Sequence, residues 1–126
     1  MTTLRRACTR TFVAGALLFA SIAATQAAGA LAVGNCGAYG YSIDFSRHDA
    51  AKTAALGKCS GDDCKVVAAM KRNCAALAID GRNACGAFGY AAAARLGQAQ
   101  NTALRQCYRH GGKDCVIRAF VCDGKG

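Results

Sequence analysis

The sequence predicts an α+β domain made of two pseudo-symmetric ββαβ repeats and stapled by disulfides. Three observations predict it. One sequence unit occurs twice, each copy carries four cysteines in the same order, and each copy switches from strand-like to helix-like patterning and back.

The first copy runs over about residues 30–75 and the second over about 76–123. CGAYGY at 36–41 answers CGAFGY at 85–90, and DCKVV at 63–67 answers DCVIR at 114–118. Ala30 aligns with Ala76, Cys36 with Cys85, Ala51 with Ala99, Cys59 with Cys107, Cys64 with Cys115 and Cys74 with Cys122. No proline or long polar linker separates the copies. They read as halves of one core, a single duplicated domain over residues 29–126.

Within each copy, residues 30–33 and 75–79 are short apolar runs of the kind that form buried strands. Residues 37–43 and 86–92 alternate small and aromatic side chains. Tyr39 therefore shares a face with Tyr41, and Phe88 with Tyr90. A helix follows. Ser46 is placed as its N-cap in the first copy, with Asp49 completing a capping box. Ala51, Ala55 and Cys59 repeat every four residues, as do Ala99, Ala103 and Cys107. Each helix is expected to end at its cysteine, turn, and enter a last strand near 65–70 or 116–121.

Residues 1–28 have the layout of a signal peptide. Arg5, Arg6 and Arg10 precede an apolar stretch over residues 12–24, which small residues follow; cleavage is expected after Ala27 or Ala30. That stretch is shorter than the roughly 20 residues of a membrane span. The expected destination is the periplasm or the exterior. The surroundings of Arg5 and Arg6 match a twin-arginine signal poorly, and Cys36 lacks a lipoprotein context.

Nine cysteines become eight when Cys8 leaves with that segment. An even set in a small exported chain reads as a disulfide framework. Pseudo-symmetry favours Cys59–Cys64 and Cys107–Cys115 within copies, with Cys36–Cys85 and Cys74–Cys122 between equivalent positions. The alternative pairs Cys36 with Cys74 and Cys85 with Cys122.

Sixteen Lys and Arg face seven acidic residues, all Asp, for a formal charge of +9. Without Arg5, Arg6 and Arg10, thirteen face seven, leaving +6. The basic residues are scattered rather than blocked, so they read as a solvated surface and argue against a nucleic-acid partner.

Catalytic signals are thin. Cys59 and Cys64 have a zinc-like interval, but their counterparts Cys107 and Cys115 do not. His110 follows Cys107 by three residues, yet the first copy has no matching histidine, so Cys107 reads as structural. The only acidic pair, Asp62-Asp63, lies in a turn, and Asp114 stands at the place of Asp63. There is no nucleophile elbow and no phosphate loop, and neither a cofactor nor a metal is expected. Tyr39, Tyr41, Phe88 and Tyr90 are the candidate binding residues. They form a platform for sugar or peptide if exposed. In so small a core, however, the stronger expectation is that one face of each strand packs under its helix. Gly37, Gly40, Gly86 and Gly89 would then allow close backbone approach.

In the repeated CGA-[YF]-GY segment, the Ala-rich helix leading to cysteine, and the DC-[KV]-[VI] strand, residues 29–123 resemble the bacterial domain-of-unknown-function family numbered 4189. The resemblance implies an exported α+β domain and carries over no catalytic residues. Cys36 and Cys85 are additions to its commoner six-cysteine pattern, and their appearance as a matched pair supports a bond between them. The functional expectation is non-enzymatic surface recognition of a protein or envelope ligand. A secreted inhibitor or effector acting on another protein is the alternative, and a cell-envelope hydrolase ranks below both.

Overall fold

The computed structural model describes residue 15 and residues 27–124. Apart from Gly15, Ala27 and Ala28, the segment assigned to a signal peptide lies outside the described residues. The first half comprises β1 (Ala28–Val33), β2 (Tyr39–Phe45), α1 (His48–Lys58) and β3 (Lys65–Met70). The second comprises β4 (Cys74–Asp80), β5 (Phe88–Ala93), α2 (Leu96–Arg109) and β6 (Cys115–Cys122). Each half is a ββαβ unit with an antiparallel three-stranded sheet, in the orders β2-β1-β3 and β5-β4-β6.

The central strands β1 and β4 are buried along their whole length. Their even-numbered residues face a helix: Ala28, Ala30 and Ala32 cluster with Ala51 and Ala55, while Cys74, Ala76 and Ala78 cluster with Ala99, Ala103 and Cys107. Their odd-numbered residues face the other sheet. Leu31, Val33 and Met70 of the first half meet Ala75, Leu77, Ile79, Ala119 and Val121 of the second. The layers are therefore helix, sheet, sheet, helix. Burial of a large side chain in the middle layer stabilises by about 1.5–3 kcal/mol. The buried hydrophobic residues of the two outer layers are all Ala or Cys, with Phe45, Leu96, Leu104 and Ile117 packed at their margins, so close approach replaces bulk at their centres.

Gly40 and Gly89 make that approach possible. A Cβ on Gly40 would collide with the α1 backbone at Ala55 and Cys59, and one on Gly89 with the α2 backbone at Ala103 and Cys107. Ser42, next on the same face, is buried and donates from Oγ to the Ala51 carbonyl at 2.6 Å.

Four disulfides join Cys36–Cys85, Cys59–Cys64, Cys74–Cys122 and Cys107–Cys115. The pairs 59–64 and 107–115 tie each helix end to the following strand. The pair 36–85 joins the halves. The pair 74–122 does not: Cys74 opens β4 and lies opposite Cys122 on β6, inside the second sheet. The alignment of Cys74 with Cys122 as equivalent repeat ends is therefore corrected. Leu31 and Leu77 hold the same place in their sheets, which puts Ala28 and Lys71 at the positions matching Cys74 and Cys122. β4, the first strand of the second half, begins at Cys74.

Two helix expectations are also corrected. The N-cap of α1 is Arg47 and makes no side-chain capping bond; Ser46 is exposed, one residue outside. The helix start is held instead by the Ala51 N–H on the Arg47 carbonyl at 3.1 Å. In the second half, α2 runs past Cys107 to Arg109 and is capped by His110. Among the described residues, no helix is long and apolar enough to cross a membrane.

Candidate functional site

In each half the pairing of the central strand with the last strand shifts register at the same place, between Leu31 and Ala32 or between Leu77 and Ala78. Each shift leaves one extra residue on the outer strand, Val67 on β3 and Arg118 on β6. Such a bulge bends the strand and re-aims a side chain. Face-to-face stacking then brings β6 toward β2 and β3 toward β5. Arg118 therefore meets the Tyr39 end of the first half, and Val67 meets the Phe88 end of the second.

The two ends differ. The Arg118 guanidinium lies 5.5 Å from the Tyr39 ring centroid, and its Nε donates to the Gly37 carbonyl at 3.2 Å. That end is bridged. At the other end Val67 carries no polar group, and an open cleft of about 430 Å³ remains, lined by Val33, Asn35, Asp63, Lys65, Val67, Phe88 and Tyr90 among others. It continues into a neighbouring hollow of about 290 Å³ over Leu77, Ile79 and the Cys36–Cys85 bridge. Phe88 and Tyr90 stack with ring centroids 6.4 Å apart. The Asn35 amide donates to the Asp63 carboxylate at 3.4 Å, and Lys65 stands exposed at the rim. The site offers an aromatic wall, an apolar floor, one cation, one carboxylate and one amide.

One face of each strand does pack under its helix, but it is the glycine face at Gly40 and Gly89; none of the four candidate aromatics lies there. Tyr41 pairs across β1–β2 with Leu31, and Tyr90 across β4–β5 with Leu77, so all four rings share the inter-sheet face. Tyr41 and Phe88 are 40% and 43% exposed, while Tyr39 and Tyr90 are half-buried. The glycines between them take the helix side.

His110 and Asp114, weighed for chemistry in the sequence, and Asp80 all have structural partners. His110 Nδ1 donates to the Phe88 carbonyl at 2.9 Å. Asp114 pairs with Arg82. Asp80 accepts from the Arg82 N–H at 2.9 Å and the Lys113 N–H at 3.5 Å. The Arg82 bond is the chief cause holding the Asp80 carboxyl below its ordinary value of 3.8. Among the described residues no group of three His, Cys, Asp or Glu is placed to hold a metal ion. The contribution of Asn35, Lys65 and Val67 to the cleft was missed in the sequence. Val67 reaches Phe88 from its bulge, while Asn35 comes from the turn after β1 and Lys65 from the start of β3, a juxtaposition set by strand register and the stacking of the sheets.

Fold and cleft together define a small disulfide-stapled α+β domain with an open, aromatic-walled recess between its two sheets. The chain belongs to the family described as Domain of unknown function (DUF4189), whose model matches residues 28–122. No curated protein and no solved structure matches it. Four disulfides fit an oxidising space outside the cytoplasm.

Proposed function

We propose that this chain is an exported, internally duplicated, non-enzymatic binding domain of the periplasm or the exterior. It holds its ligand, a protein segment or an envelope polymer, in the cleft at Phe88 and Tyr90. The observation that carries this reading is the difference between the matched bulges: Arg118 bridges one end of the inter-sheet space, and Val67 leaves the other open. Stacked, partly exposed aromatics beside a few polar groups are the usual make-up of a recognition surface. The engaged states of His110, Asp80 and Asp114 favour binding over turnover.

A photo-reactive phenylalanine at position 88 tests it, introduced into the protein as exported by its own cell. A discrete adduct from position 88, absent when the probe sits at Ala50 on the exposed side of α1, is expected. An adduct to one enzyme would direct the reading to the inhibitor alternative. Equal or no adducts from the two positions would refute the cleft as a binding site.

A further inference from the structure

We propose that the outer edge of β2 takes up an extended acidic peptide, which joins the first sheet as an added strand through the backbone of Tyr39 and Tyr41. This surface is separate from the Phe88 cleft, and a different observation carries it.

The edges of the second sheet are covered by the end of α2. Gln106 Oε1 accepts from the Tyr90 N–H at 3.2 Å, His110 Nδ1 donates to the Phe88 carbonyl at 2.9 Å, and Tyr108 Oη donates to the Cys115 carbonyl at 3.5 Å. Unpaired strand edges invite further strands, and covering them prevents it. The first half lacks this cover. Its helix α1 is 11 residues long against 14 for α2 and stops at Lys58.

Strand geometry shows which groups are left open. Gly34 N–H donates to the Ala38 carbonyl at 2.8 Å, just as Asp80 N–H donates to the Ala87 carbonyl at 3.0 Å. Ala38 and Ala87 thus face their central strands. Alternation along an antiparallel pair turns the Tyr39 carbonyl and the Tyr41 N–H outward, as it does the Phe88 carbonyl and the Tyr90 N–H. Among the described residues, no side chain bonds to the Tyr39 carbonyl or the Tyr41 N–H. The residue before the matched cysteines Cys107 and Cys59 is Gln106 in one half and Lys58 in the other. An ammonium only donates, so Lys58 cannot accept from the Tyr41 N–H as Gln106 does from Tyr90. A groove of about 360 Å³ lies there, lined by Tyr39, Gly40, Tyr41 and Lys58.

Charge selects the occupant. Lys58 is exposed and makes no ion pair among the described residues. The chain is basic, +9 in full and +6 without Arg5, Arg6 and Arg10, so a second copy would bring like charge and its own Lys58 to the seam. A strand from another protein with Asp or Glu opposite Lys58 supplies both the carbonyl that the Tyr41 N–H lacks and the counter-charge.

The test uses a displayed library of random eight-residue peptides selected on the disulfide-intact protein, with amide hydrogen exchange locating each selected peptide. The proposal expects peptides with Asp or Glu among β-forming residues, and exchange at Tyr41 slowed roughly tenfold or more on binding. Lys58→Glu should weaken these peptides roughly fivefold and favour their lysine-substituted versions. Lys58→Gln, which copies Gln106, should slow Tyr41 exchange without any peptide and reduce peptide binding. Selected peptides with no acidic preference, or protection confined to other strands, would overturn the proposal. So would self-association that protects Tyr41 without peptide, since the occupant would then be a second copy.

Discussion

Arg118, carried on the bulge of β6, reaches across to the first half and places its guanidinium 5.5 Å from the centre of the Tyr39 ring. Its Nε also holds the Gly37 carbonyl. The matching bulge residue, Val67, makes no such bridge. Two halves with the same topology thus enclose a space that is spanned at one end and open at the other, and the difference rests on one side chain.

The long-range disulfides should outweigh the local ones. Closing a loop of about 50 residues removes more unfolded-state entropy than closing one of five to eight, about 4 against about 2 kcal/mol. Replacing both Cys74 and Cys122 by alanine is expected to lower the urea midpoint clearly more than replacing Cys59 and Cys64. Equilibrium urea unfolding followed by circular dichroism checks the order.

Asp123 is fully buried, and its carboxylate accepts from the Asp44 N–H at 3.0 Å and the Arg72 N–H at 3.4 Å. Both partners have left-handed backbone, with φ of 62° and 55°. One side chain therefore fixes two left-handed positions, one in β2 and one in the β3–β4 turn. Asp123→Ala leaves both N–H groups without their acceptor and is expected to cost about 1–3 kcal/mol. Asp123→Asn, which keeps one acceptor oxygen, should cost less. Urea unfolding of the two variants gives the comparison.

Two glycines, one in α1 and one in β5, should respond oppositely to an added methyl group because of what surrounds them. Gly57 has nothing near its missing Cβ, so Gly57→Ala in α1 is expected to stabilise by about 1 kcal/mol. At Gly89 the same change drives a methyl group into the α2 backbone and is expected to cost about 1–3 kcal/mol. Thermal unfolding midpoints should move in opposite directions.

Asp80 gives a signed pH dependence. Its folded carboxyl is held below 3.8, chiefly by the Arg82 N–H. A depressed folded value means that its stabilising contribution is present above the unfolded value and is lost as pH falls through the folded one. Asp80→Asn should therefore narrow the stability gap between neutral pH and pH values below about 4. Unfolding midpoints of both proteins from pH 7 to pH 2 measure it.

The sequence carried much of the fold because its signals were local and duplicated. The alternation of glycine with aromatic residues at 39–41 and 88–90, and the four-residue alanine spacing at 51–55 and 99–103, each specify an element without tertiary help. Gly40 and Gly89 do allow the close backbone approach read from them, and they also fix which face the helix covers. A helix able to sit on a bare backbone must occupy the glycine side, which sends Tyr39, Tyr41, Phe88 and Tyr90 to the opposite face. Cys74 misled because similarity of position in sequence says nothing about which sheet a strand joins. Val67 and Arg118 were beyond reach, since a bulge is a property of two strands in register. Ser46 satisfied a capping pattern that Arg47 meets with its backbone alone.

The open end is tested most directly by closing it. Val67→Arg places on β3 the side chain that spans the space from β6, facing Phe88 instead of Tyr39. With the photo-reactive phenylalanine at position 88 and the four disulfides verified by mass spectrometry, the adduct formed by the parent protein is expected to disappear. An adduct that persists undiminished beside the new arginine would contradict the account.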